Sequence, residues 1–252
     1  MTRTMSGDVD YETHGRGYAA QRRPDRRIAA TLHAAMGDAR TVLNVGAGAG
    51  SYEPTDRYVV AVEPSARMRA QRGPNVPAVD AVAEHLPFDD DSFDAVMATV
   101  TVHQWADTAR GLAELRRVAR GPVLVLTFDG DALDRFWLAS YVPELIAAER
   151  RRYPAVDVIA QAIGPRSEVR EVPVPIDCTD GFTEAFYARP SAFLDPKVRA
   201  AQSAWGFVDP AVTDRAVERL RADLDSGAWD ETYGHWRTQP QFEGSLRLIV
   251  GS

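Results

Sequence analysis

The sequence predicts an α/β fold, with a mostly parallel sheet covered by helices on both faces. Three observations lead there. Short apolar runs alternate with helical segments through the first half of the chain, the pattern of strand–helix–strand units. The run Thr41-Val42-Leu43-Asn44-Val45 passes straight into Gly46-Ala47-Gly48-Ala49-Gly50. A second apolar run, residues 58–62, ends on the carboxylate of Glu63. Glycines lack a Cβ and let the backbone approach a ligand. A strand-end carboxylate can accept hydrogen bonds from both hydroxyls of a ribose. Together they describe a nucleotide-type cofactor at the carboxyl edge of a parallel sheet.

The elements follow in order. Residues 1–24 read as a polar N-terminal arm. Residues 28–36 form a helix ended by Gly37, leading into a first strand at 41–45 and a second at 58–62. A helix covers 65–71, Gly73 to Pro77 is a turn, and a short third strand lies at 78–79. The fourth strand is 95–100, a helix spans 108–119, and the fifth strand is 123–127. Residues 133–153 read as one amphipathic helix carrying Phe136, Trp137 and Tyr141. A sixth strand lies within 169–178, where Pro173 and Pro175 suit a sheet edge. The seventh is 245–250. Residues 179–244 are a mostly helical insertion, because a structureless loop of that length is improbable in a compact domain. It contains a helix over 212–224, begun by Asp209-Pro210 and closed by Gly227. The whole chain, 1–252, is thus one domain: a cofactor-binding core at 25–178, a cap at 179–244 and a final strand at 245–252. The cap is expected to cover the open end of the sheet and shape the substrate pocket.

The glycine run does not suit a dinucleotide. The pattern G-x-G-x-x-G would place a pyrophosphate on the next helix N-terminus. Counting from Gly46, Ser51 stands at the third glycine; counting from Gly48, Glu53 does and brings negative charge towards a pyrophosphate. A ligand with no phosphate fits better. The text around the run carries a resemblance. Val42 to Gly50 resembles motif I of the class I S-adenosylmethionine-dependent methyltransferases, and Val60-Ala61-Val62-Glu63-Pro64-Ser65 resembles their motif II. Ala83-Glu84-His85-Leu86-Pro87-Phe88 and Ser92-Phe93-Asp94-Ala95-Val96 are similar to the adenine loop and fourth strand that follow. Val82 departs from the pattern, standing where many relatives carry Asp. The resemblance covers about the first half of the chain and points to the small-molecule, UbiE/trans-aconitate methyltransferase-like branch. It implies a Rossmann-like doubly wound sheet of seven strands with an antiparallel last strand. It implies S-adenosyl-L-methionine as cofactor, with S-adenosyl-L-homocysteine as product.

What the resemblance implies for the site is specific. Gly46, Ala47 and Gly48 turn against the methionine and ribose parts of the cofactor, and Glu63 takes the ribose. Asn44 orients that loop or reaches the cofactor's amino group. Pro64 and Met68 flank the adenine, although Met68 also suits ordinary helix packing. Ala83 and Glu84 read the adenine edge, and Thr99 closes the fourth strand beside the cofactor. Arg23 resembles an N-terminal arginine that some relatives direct at the cofactor carboxylate, a natural bidentate pairing, with Arg22 as its rival. His103, just past the fourth strand, is the candidate general base or positioning residue, since an imidazole takes a proton near neutral pH. Aromatic and polar residues in and beside the cap, Trp105, Tyr187, Trp205, Tyr233 and His235, are candidates for the substrate pocket.

Composition narrows the rest. Acidic residues exceed basic ones, 36 against 29, for a net charge of -7, which disfavours binding through phosphate neutralisation and predicts no nucleic-acid partner. No apolar stretch would span a bilayer and no signal-peptide core precedes the first element, so a cytoplasmic protein with no membrane partner is expected. The single Cys178 reads as core filler. The histidines (His14, His33, His85, His103, His235) show no ligand spacing, so no metal is expected. Three functions remain open: a methyltransferase acting on oxygen, nitrogen or carbon of a small-molecule acceptor; the same fold binding cofactor without methyl transfer; and, against the glycine spacing, a nicotinamide-dependent oxidoreductase. Neither the acceptor nor an oligomeric state is written in the sequence.

Overall fold

The computed structural model describes residues 23–73 and 76–252. Most of the N-terminal arm, Arg22 included, and the middle of the turn after Gly73 lie outside the described residues. Helix α1 (Arg26–Ala35) begins where the Asp25 carboxylate accepts from the Arg27 backbone N–H at 2.9 Å. It buries Ile28 and Leu32. Strands β1 (Thr41–Val45), β2 (Tyr58–Val62), β3 (Ala78–Val79), β4 (Ala95–Thr99) and β5 (Val123–Phe128) are parallel where they pair. Helix α2 (Ala66–Arg69) is a single turn, shorter than the expected 65–71, and α3 (Thr108–Val118) follows β4.

Seven strands form the sheet, in the order β3-β2-β1-β4-β5-β9-β6, with β6 at Glu168–Glu171 and β9 at Leu246–Gly251. Strand β9 runs antiparallel to both neighbours, pairing Leu126 with Leu248 on one side and Val169 with Ile249 on the other. The chain leaves β1 towards β2 and later returns to place β4 on the other flank. That reversal opens a crevice beyond the carboxyl ends of β1 and β4, where open α/β sheets bind ligands.

Alternation along each strand splits the core in two. Val42, Met97, Leu124 and Leu248 face α1 and the cap, whereas Leu43, Val96, Val125 and Ile249 face α3 and helix α5 (Val156–Ile163). All six residues of β5 are buried, as expected of a central strand covered on both faces. Each fully buried aliphatic side chain contributes roughly 1.5–3 kcal/mol.

Two sequence expectations are corrected. Residues 133–153 are not one helix: short 3₁₀ turns at Gly130–Arg135 and Trp137–Ser140 precede α4 (Pro143–Arg152). Pro143 is the reason, since the residue before a proline is pushed out of the helical region and Val142 sits at φ -138°, ψ 69°. The strand expected within 169–178 also divides. Pro173 has no N–H for the ladder, so β6 stops at Glu171 and β7 (Val174–Pro175) instead pairs with β8 (Gln241–Phe242) in a separate ribbon. Helix α5 had no counterpart among the sequence expectations, although Val156, Ile159, Ala160 and Ile163 carry its spacing.

Between β7 and β8 run α6 (Pro196–Ala200), α7 (Pro210–Ser226), α8 (Ala228–Tyr233) and several 3₁₀ turns. An aromatic cluster holds this region to the turns before α4. The Trp137 ring meets Trp229 at 5.5 Å, Tyr141 at 5.7 Å and Phe193 at 5.7 Å, all edge-to-face. Such pairs contribute about 0.5–1.5 kcal/mol each beyond their buried area. Cys178 is buried in the hydrophobic core on the α1 side of the sheet. No described helix is long and apolar enough to cross a membrane.

Candidate active site

The loop after β1 is built from backbone. Gly46 and Gly48 hold φ 69° and 52°, and the N–H groups of Gly46 and Ala47 both donate to the Val62 carbonyl at 2.9 Å. A Cβ at Gly46 would lie 2.1 Å from Thr101 Oγ1, so glycine here lets the loop touch the segment beyond β4. Glu63 follows β2 directly and is buried, with 7% exposure. Its carboxylate accepts from Gly48 N at 2.8 Å and from Ser65 N at 2.9 Å, tying the glycine loop to the start of α2. Burial pushes this carboxyl above its ordinary pKa, and the two backbone donors oppose the shift.

Beneath the loop lies a network absent from the sequence reading. Arg72 donates to both Glu53 oxygens at 2.8 and 2.9 Å, and Asn44 Nδ2 donates to Glu53 Oε1 at 3.0 Å. The Glu53 carboxylate, which a dinucleotide spacing would bring towards a pyrophosphate, is instead turned inwards onto a guanidinium whose side chain is 2% exposed. Arg72 also donates to the carbonyls of Val76 and Gly48. Asn44 itself is fully buried, and its Oδ1 has no hydrogen-bond partner.

The remaining cofactor candidates surround this loop. Met68 is buried with its methyl 3.3 Å from where a Gly48 Cβ would stand, and Pro64, just before α2, is half-buried. Ala83 is buried. Glu84 Oε1 accepts from the Asp107 backbone N–H at 3.1 Å, and its carbonyl from Arg110 at 2.8 Å, so the residue also fastens the start of α3. Thr99 ends β4, half-buried, and Arg23 is exposed at the first described position.

Past β4 the chain is strained. Val100 has φ 52°, a region that β-branched residues rarely enter, and its N–H donates to the Leu126 carbonyl at 2.7 Å. The kink puts Thr101 against Gly46 and turns Val100 and His103 to the other side, onto a pocket. Strain of this kind costs about 1–3 kcal/mol and gathers at functional sites. Phe128, Leu133, Glu149 and Tyr153 form the pocket's core side; Phe182, Thr183, Glu184, Gln202 and Ser203 form its cap side. The His103 ring lies edge-on to Tyr153 at 4.8 Å. Glu184 is buried, accepts from Ser245 N at 3.1 and 3.0 Å, and is pushed up to about 7, chiefly by desolvation.

None of the five aromatic or polar candidates lines this pocket. Trp105 is buried against Gly111 of α3, where an added Cβ would stand 2.5 Å away. Tyr187 is fully buried and donates to the Gln239 carbonyl at 2.6 Å. Trp205 donates to Gln202 Oε1, Tyr233 Oη donates to Ser140 Oγ at 2.9 Å, and His235 is exposed beside Trp236. Trp105 packs on α3, and the apolar bulk of Tyr187, Trp205 and Tyr233 serves cap packing. The pocket's polar residues, Glu149, Thr183, Glu184 and Gln202, carry no local motif; their separation in sequence hid them. No cluster of three or more His, Cys, Asp or Glu that could hold a metal ion occurs among the described residues.

The sheet order and the glycine loop after β1 define a protein of the doubly wound class. Residues 43–125 match the family model of a methyltransferase domain. An uncharacterised methyltransferase of Mycobacterium tuberculosis is 41% identical over 92 residues, 32% of this chain and 36% of that protein. The malonyl-[acyl-carrier protein] O-methyltransferase of Geobacter sulfurreducens is 33% identical over 158 residues, 57% of this chain and 58% of that one. The chain thus spans between about a third and somewhat over half of these relatives' lengths. A solved structure from Anabaena variabilis, assigned as a methyltransferase from an antibiotic biosynthesis pathway, superposes with a TM-score of 0.85 at 28% identity, covering 92% of this chain and 99% of that one. Residues 43–125 thus match a methyltransferase domain, and the fold around them is that of the class I S-adenosylmethionine-dependent methyltransferases.

Proposed function

We propose that the protein transfers a methyl group from S-adenosylmethionine to a small-molecule acceptor. The observation that carries this reading is the kinked segment after β4. One side of it, Thr101, packs on the cofactor loop at Gly46, and the other, Val100 and His103, lines the pocket under the cap. Donor and acceptor would therefore meet across four residues.

The residues present fit the cofactor. Gly46, Ala47 and Gly48 offer bare backbone to the ligand, in a loop set so close to Thr101 that a Cβ at Gly46 would strike it. Glu63 retains lone pairs beside its two backbone donors for the ribose hydroxyls. The unpartnered Oδ1 of Asn44 is available to the amino group or to the loop, and Pro64, Met68, Ala83 and Glu84 would border the adenine. Thr99 would flank the bound molecule, and Arg23 would reach its carboxylate. The cofactor supplies an activated sulfonium methyl. This chain's contribution is to orient the acceptor and keep water out, and good orientation alone contributes on the order of 7–11 kcal/mol. His103 would hold the acceptor or take its proton, a role typically contributing about 10²–10⁴-fold. The cap segment 179–244 would give the pocket its specificity, since five of its side chains form one wall.

Calorimetry with S-adenosylmethionine, S-adenosylhomocysteine and NAD tests the cofactor, with binding of the first two and none of NAD expected. Tight NAD binding would overturn the assignment. Mass spectrometry of candidate acceptors incubated with the protein reads methyl transfer itself. On an accepted substrate, His103→Ala is expected to flatten the acidic limb of the pH–rate profile; an unchanged rate and profile would remove His103 from the chemistry.

A further inference from the structure

Gln202 stands out among the buried polar groups. It is 6% exposed, lines the pocket, and spends its Oε1 on two donors, Thr183 Oγ1 and Trp205 Nε1, each at 3.1 Å. An indole nitrogen can only donate, so the amide atom facing Trp205 must be the oxygen. The orientation of the amide follows from chemistry. Its Nε2 is then turned away from Trp205, buried, with no hydrogen-bond partner among the described residues. A buried donor left unmet is costly and marks a place for an incoming acceptor atom.

The surroundings narrow what that atom belongs to. The lining contains no lysine or arginine, and both its acids are buried, which disfavours a carboxylate or phosphate. The Glu184 carboxylate is turned towards the start of the last strand, where Ser245 N bridges its two oxygens at 3.1 and 3.0 Å. Arg152, outside the lining, donates to Ser203 Oγ at 3.1 Å and stacks over Phe207. Phe128, Tyr153 and Phe182 surround the space with ring faces and edges, with Phe128 5.4 Å from each of the other two.

Resting on the methyltransferase reading above, we propose that Gln202 selects the acceptor, donating from Nε2 to a carbonyl-type oxygen of an uncharged, planar molecule held among Phe128, Tyr153 and Phe182. This also sets the chain apart from a protein built to receive a free carboxylate, such as a malonyl group.

The test uses the full chain saturated with S-adenosylhomocysteine and four probes of one size: benzamide, benzoate, benzylamine and ethylbenzene, titrated by NMR. Benzamide is expected to bind most tightly. Gln202→Leu should weaken benzamide by about 3–10-fold, the effect of one neutral hydrogen bond, and leave ethylbenzene unchanged. Gln202→Glu keeps an oxygen for Trp205 and should weaken benzamide as well, which decides the matter should the leucine variant fail to fold. Benzoate or benzylamine binding as tightly as benzamide overturns the proposal, and so does equal benzamide affinity in wild type and folded variant. Calorimetry of S-adenosylhomocysteine on the same samples separates the two readings. Absence of its binding to wild type defeats the methyltransferase reading, whereas normal binding without benzamide preference defeats only the role of Gln202.

Discussion

The two halves of the candidate site are made of different material. The proposed cofactor side, residues 41–103, uses backbone: three glycines with positive φ, N–H groups on Glu63, and a carbonyl shared by Gly46 and Ala47. The proposed acceptor side uses side chains drawn from residues 100–203 and fixed by one another, Gln202 by Thr183 and Trp205, Glu184 by the residue before β9. Backbone recognition leaves a continuous sequence signature. Side-chain recognition assembled from distant segments does not, and it can change its ligand without disturbing the sheet.

Breaking the support beneath each half should separate them. Arg72→Met leaves Glu53 buried without its cation, and we expect a loss of about 3–5 kcal/mol in stability, measured by urea unfolding. The double variant with Glu53→Gln should recover most of it; no recovery would mean the pair is not what holds the loop.

On the acceptor side the matching group is Glu184. Its folded pKa of about 7 lies above the ordinary 4.5, so the folded state binds the proton more tightly. The contribution is fully present below about pH 4.5 and is lost as pH rises through about 7. Glu184→Gln should therefore gain on wild type across that window, by up to about 3 kcal/mol, in melts run from pH 4 to 8. A gain that does not depend on pH would deny the titration. Glu63→Gln is expected to cost about 10–100-fold in S-adenosylhomocysteine affinity, about 1.4–3 kcal/mol, while leaving probe binding to the cap pocket intact in cofactor-saturated protein. The smallest effect belongs to the boundary itself. Val100→Gly should relieve the positive φ and raise stability by about 1 kcal/mol, while turnover on an accepted substrate falls because the segment loosens.

How much of this was legible follows the same division. Strands β1 to β5 and helices α1, α3 and α7 showed in the sequence because one period runs unbroken through each. Gly46, Gly48 and Glu63 stood out as candidates because each follows directly on a continuous apolar strand, β1 or β2. Residues 133–153 misled because the apolar spacing continues across Pro143, while the backbone cannot. Strand β6 lost its second half to Pro173 for a related reason. Arg72 and Glu53 lie 19 residues apart, and nothing local announces their pairing. Tyr187, Trp205 and Tyr233 were drawn to the pocket by aromatic character that the structure spends on packing.

The placement of β9 has a consequence for how the chain reaches this shape. Strand β5 is complete at Phe128, yet its partner begins at Leu246, so the middle of the sheet waits for well over a hundred further residues. Until then β5 presents an open edge and β6 has no neighbour in the sheet, exposing apolar strand surface during synthesis. Pairings so distant along the chain are slow to form. Pulse-labelled hydrogen exchange during refolding should accordingly protect β1, β2 and β4 before β5 and β6, and simultaneous protection would show that the sheet closes in one step.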